Sequence, residues 1–196
     1  MQMPKAFAVA FFAACVAGSS VTAAELASAP GTAVQLATAE KFIDAFYSFD
    51  AARLAPFVSA ATEASRGEIV FYQQWAVGAH YSVVHRHPCR IERVDVVACA
   101  VTVEDDLMKA LQIDFNVTDE FHLSFRNGTI TEITTTSDDP PAWENGKAWI
   151  RKNRAALIAT PCEGYFAGGP TPAECARSMV QGLGEFRESP EYQAGR

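Results

Sequence analysis

His85-Arg86-His87 is the triplet in this 196-residue chain whose residue types and spacing best suit chemistry. Residues two apart on a strand project from one face, so both imidazoles fall side by side. Such a pair offers a general base near neutral pH or two metal ligands. Asp119 falls on the apolar face of a later strand, where a carboxylate can orient a histidine or act as base itself. The sharp expectation is a His85–Asp119 acid/base pair in a pocket lined by Tyr47, Tyr72, Trp75, Tyr81, His87 and Phe121. A plainer expectation ranks above it: histidines near the open end of a sheet, hydrogen-bonded or partly wet. Zinc ranks lower still, because it requires three or four ligands and His122 lies on the opposite face by parity. Glu104-Asp105-Asp106 reads as a solvated strand terminus, lacking the spaced oxygens and glycine of a calcium loop. There is no glycine-rich phosphate loop, nucleophile elbow or C-x-x-C pair, and no cofactor is expected.

These residues depend on one stretch, Tyr81 to Asp106. Tyr81, Val83, His85, His87, Cys89 and Ile91 share one parity, and Val97, Cys99, Val101 and Val103 share another. Period two predicts two long strands, folded on a turn centred on Val94, with their odd positions facing the core. That turn sets Cys89 opposite Cys99. Directly paired Cβ atoms lie about 4.5–5.5 Å apart, within disulfide range for the closer pairs. A Cys89–Cys99 bridge is expected over two buried thiols, because the leader points to an oxidising compartment. Cys162 and Cys175 form the second expected bridge, although four cysteines allow three pairings.

Residues 1–24 carry Lys5, the apolar run Ala6 to Ala17 and the small residues Val21-Thr22-Ala23-Ala24, which predicts a secretory signal. A lipid anchor at Cys15 ranks second. Export to the periplasm or medium follows, with no transmembrane segment. The formal net charge is -7, and the chain has no basic run, which argues against nucleic acid as a partner. Residues 25–35 read as a flexible leader. Helices are expected from near Thr38 through Tyr47, after Asp50, and after the capping box Ser65-Arg66-Gly67-Glu68, with Gly78 ending the third. A helical turn is expected between Asp105 and Asn116. Strands Val117–Phe125 and Ile130–Thr136 flank Asn127-Gly128. A three-residue turn with Gly128 at a bulge pairs Phe121 with Ile133 and keeps Glu132 in water. Helices then follow near Trp143 and after Thr171-Pro172-Ala173-Glu174, Gly146 weakening the first of them. The loop at Tyr165 to Pro170 reads equally well as a mobile lid or as a disulfide-tied loop.

Three helices followed by long antiparallel strands resemble the nuclear transport factor two-like superfamily, with its SnoaL-like polyketide cyclase and ketosteroid isomerase branches. Phe42 to Phe57, Trp75, Tyr81 to Glu104 and Phe121 to Ile133 carry the resemblance, over residues 36–155. It implies an α+β cone (an α+β roll): a curved, mostly antiparallel sheet with three N-terminal helices on its concave face. Residues 156–196 form a loop and helix outside it. The resemblance also implies a pocket that holds a small hydrophobic ligand. The alternative is a cofactor-free isomerase, dehydratase or cyclase using His85 or Asp119 as base. A third expectation is an envelope interaction module with a filled pocket. Cone folds pair through the sheet face, and Val84, Val96, Ala98 and Ala100 offer such a surface for a homodimer.

Overall fold

The computed structural model describes residues 30–163 and 172–194. Residues 1–24, Cys15, Thr171 and the Tyr165–Pro170 loop, for which expectations were stated, lie outside them. The chain is α+β. Helices α1 (Pro30–Phe46), α2 (Ala51–Val58) and α3 (Glu63–Gly78) precede strands β1 (Ser82–Arg86), β2 (Arg90–Arg93) and β3 (Val96–Glu104). Then come α4 (Asp106–Leu111), β4 (Val117–Arg126), β5 (Thr129–Ser137), α5 (Pro141–Asn153), α6 (Ala155–Ile158), α7 (Pro172–Arg187) and α8 (Pro190–Ala194). The sheet is open, five-stranded and antiparallel: β1 and β2 both pair with β3, followed by β4 and β5.

The first expected strand is broken in two. Pro88, which has no N–H to give a ladder, lies in the gap between β1 and β2. In that gap His87 donates its N–H to the Ala100 carbonyl, while the Cys89 N–H turns to Glu40 Oε1 at 2.7 Å. Arg86 reaches the same helix, pairing with Glu40 at 2.8 Å and with Asp44. One face of α1, Ala39, Phe42, Ile43 and Phe46, is fully buried. Its polar edge thus clasps the sheet at the break. Cys89 and Cys99 are bridged there, with Cα atoms 4.3 Å apart.

β4 alternates strictly, burying Val117, Asp119, Phe121, Leu123 and Phe125. Asn127 and Gly128 both take positive φ, 54° and 76°, the pattern of a two-residue type I′ turn. The three-residue turn is therefore corrected. A separate bulge lies just beyond, in β5, where Phe125 faces Ile130 but Ser124 faces Glu132. The inserted Thr131 keeps Ile130 and Ile133 inward and Glu132 in water, and Phe121 faces Thr135 instead of Ile133. The Thr131 carbonyl accepts the Thr62 N–H, tying the bulge to the start of α3.

Helices begin before the sequence pattern places them, by about one turn in α3 and about two in α1. α1 is already helical at Pro30, within the stretch read as a leader. Thr62, not Ser65, caps α3, accepting the Ser65 N–H at 3.3 Å. Ser65 is buried and spends its hydroxyl on the backbone of Ile133. On the outer sheet face, Val96 and Ala98 are buried and Val84 is exposed. Arg90 pairs with Glu120 and Glu92 with His122 across β3, where Ala98 leaves room for the long side chains.

The C-terminal helix packs into the same core, against α3, α4 and α5. Cys175 in its first turn is bridged to Cys162. Gly78 does not end α3 through left-handed geometry; the positive φ falls at His80. Its role is close approach, because a Cβ there would meet the Ala173 backbone oxygen and Cα, the latter at 2.6 Å. Helix propensity alone favours Gly78→Ala by about 1 kcal/mol. The packing predicts the opposite sign, a loss of about 1–3 kcal/mol as α3 and α7 are forced apart. Urea unfolding of the variant measures which sign holds.

Candidate functional site

A cavity of about 380 Å³ opens between α3, the sheet and α5. That volume lies at the small end of ligand pockets, which run roughly from 300 to 1,000 Å³. Tyr72 of the lining joins a buried cluster of rings: Phe42, Phe46, Tyr47 and Tyr72 all pack on Phe121, with centroids 4.9–6.2 Å away. Trp75, Leu107, Met108 and Trp143 supply an apolar wall. The polar wall holds Glu68, Asp105, Asp119 and Asp139, together with Thr135, Thr136, Ser137 and Lys147.

Asp119 occupies an inward position of β4 and is 1% exposed. The Tyr47 hydroxyl, at the end of α1, donates to Asp119 Oδ2 at 3.1 Å. Tyr72 of α3 and Tyr81 line the cavity with Asp119. Asp119 Oδ1 is buried with no partner. Burial raises the Asp119 carboxyl to a pKa of about 7, against the opposing pull of the Tyr72 and Tyr47 hydroxyls and with a further push from Asp139 and Asp105. The same burial, with the neighbouring carboxyl, holds Tyr47, Tyr72 and Tyr81 well above the ordinary tyrosine range. All three are neutral hydroxyl donors at physiological pH.

Asp105 is the residue that the sequence pattern hides. It sits in an acidic run, yet it is 1% exposed. Its Oδ1 caps α4, accepting the Met108 N–H at 2.9 Å, and its Oδ2 is buried without a partner. Burial raises it to about 6, opposed by the hydrogen bonds from Met108 and Leu107. A readable signal was present: an aspartate before Leu107-Met108 at the expected helical turn is a helix cap. A cap turned under a helix is not a solvated terminus. Asp139 is also raised by burial, with Ser137 hydrogen-bonded to it at 2.7 Å. Lys147 pairs with Glu144 at 2.5 Å and lies 5.0 Å from the centre of the Trp143 ring.

The structure brings Tyr72, Trp75, Tyr81 and Asp119 to one cavity, with Tyr47 and Phe121 behind them. It does not bring His85 or His87 there. Both are exposed, their rings packed on each other 4.3 Å apart. The expected His85–Asp119 pair is therefore corrected. β1 is an edge strand with a register shift between Val83 and His85, so the inward parity started by Tyr81 is lost before the histidines. Among the described residues, no group of three or more His, Cys, Asp or Glu side chains is placed to hold a metal ion. No described helix is long and apolar enough to cross a membrane. No family model matches the chain, and no match was found among curated proteins or solved structures.

The buried carboxyl makes stability depend on pH. Unfolded, Asp119 releases its proton near pH 3.9; folded, it holds the proton to about 7. Between those values the native state binds more protons, so this residue's contribution falls as pH rises, then levels off above about 7. Asp119→Asn removes that loss. Its stability relative to the parent rises by roughly 2–4 kcal/mol between pH 4 and pH 8. Denaturant unfolding at the two pH values checks it; an unchanged difference contradicts the burial of a titrating group.

Proposed function

We propose that this chain is an exported nuclear transport factor two-like protein of the SnoaL-like and ketosteroid isomerase-like kind, catalysing proton transfer on a small molecule held in the cavity. The single observation that carries this is Asp119: a buried carboxyl on the cavity wall, one oxygen held by Tyr47 and the other without a partner. The antiparallel sheet behind three N-terminal helices supports the family. Two intramolecular disulfides support export. Glu68, Asp105, Asp119 and Asp139 in the lining favour a ligand with polar groups over a wholly apolar one.

A carboxyl group with a pKa near the working pH is present in both forms, so it can take a proton and give it back. In its ionised form Asp119 accepts a proton at Oδ1 from a C–H next to a carbonyl. The C–H pair becomes the enolate double bond, and the carbonyl π pair moves to oxygen. The neutral Tyr81 hydroxyl, on the same cavity wall, donates to that oxygen. Returning the proton to another carbon gives an isomer. Expelling a β-hydroxyl gives a dehydratase, and attack of the enolate on a second carbonyl gives a cyclase.

A panel of small enolisable ketones in D₂O tests this by NMR. The parent protein is expected to speed deuterium uptake by at least one ketone, and Asp119→Asn to slow it about 10²–10⁴-fold. Ketone binding with uptake no faster than in buffer, or uptake indifferent to Asp119→Asn, overturns the catalytic reading and leaves a carrier.

A further inference from the structure

We infer that the molecule this cavity takes carries an ammonium group, its N–H donors met by Asp105 Oδ2 and its charge faced by the Trp143 and Tyr81 rings. The inference deepens the ligand reading of the same cavity but rests on a different carboxyl from the proposed proton-transfer centre. Asp105 Oδ2 is a buried carboxylate oxygen without a partner, and Oδ1 is already committed to capping α4. The cap occupies one oxygen and leaves Oδ2 without a partner on a residue that lines the cavity. A carboxylate accepts only, so a complementary ligand group must donate. Of the donors available, an ammonium also answers the charge. Glu68, Asp105, Asp119 and Asp139 line the cavity against one lysine. That lysine is engaged elsewhere, paired with Glu144 over the Trp143 ring. Its position shows that the Trp143 ring already accepts a cation at its face. Acidic walls around a partly closed cleft also concentrate cations over anions.

The titratable groups facing Asp105 in the cavity are Glu68 and Tyr72 from α3, Tyr81 before β1, Asp119 from β4, Asp139 after β5 and Lys147 from α5. Asp105 and Asp119, raised by burial to about 6 and about 7, gain negative charge between pH 5 and 8, so binding of a permanent cation tightens over that interval. A neutral ligand has no such dependence.

Titration calorimetry on the intact disulfide-bonded protein tests this with benzylammonium chloride and its neutral counterpart ethylbenzene. Benzylammonium is expected to bind at least tenfold more tightly than ethylbenzene at pH 8, and at least fivefold more weakly at pH 5. Asp105→Asn is expected to remove most of that preference, with retention of fold checked by circular dichroism. Glu68→Gln, at a residue that caps nothing, is expected to reduce it by a smaller factor. Equal binding of both probes, or no binding of benzylammonium by the parent protein, overturns the inference. Deuterium uptake from ketones is read separately and depends on Asp119, so loss of one result leaves the other standing.

Discussion

Asp119 stands in the inward row of β4 between Val117 and Phe121, and both of these neighbours are apolar and buried. Removing an ionised carboxylate from water into such a place costs several kcal/mol unless partners replace the water. The chain supplies partners for only one side of the group. Tyr47 bonds Oδ2, Tyr72 lines the cavity with Asp119, and Oδ1 is buried without a partner. The carboxyl therefore keeps its proton far longer than an exposed aspartate does. A wholly structural solution would place a leucine here; the cavity and the three tyrosines make sense around an acid.

Holding that arrangement requires elements far apart in sequence. Tyr47 comes from the end of α1, Tyr72 from α3, and Asp105 from the cap of α4. The Phe121 ring binds the first two together from below. Arg86 and the Cys89 N–H fasten β1 and β2 to α1 through Glu40. From the other side, α7 presses on α3 so closely that Gly78 must lack a Cβ. The Cys162–Cys175 bridge anchors the start of that helix. The C-terminal segment thus serves as a brace behind the cavity wall formed by Trp75 and Trp143.

Much of this could be read from residue patterns, and the exceptions have physical reasons. The odd-numbered row of β4 follows from period two, because that strand is flanked by β3 and β5. That same row placed Asp119 inward. Cys89, in the break before β2, still meets Cys99 of β3. The histidines failed because β1 has a neighbour on only one side. There a bulge costs little, and a single inserted residue reverses the parity. The β5 bulge escaped because Glu132 reaches water equally well by two routes, a longer turn or an inserted Thr131. Thr62 lost to Ser65 as the expected cap because Ser65-Arg66-Gly67-Glu68 has the box spacing. Tertiary contact with Ile133 is invisible to spacing. Asp105 was obscured by its acidic neighbours Glu104 and Asp106, both of which do reach solvent.

The central claim concerns one proton, and it can be watched directly. Carbon-13 NMR of protein labelled at aspartate carboxyls, assigned with Asp119→Asn, follows each group through a pH titration. The Asp119 signal is predicted to shift with a midpoint near 7, well above the ordinary aspartate value of about 3.9. A midpoint at or below the ordinary value would mean that water or a stronger partner reaches the carboxyl, and would contradict the account.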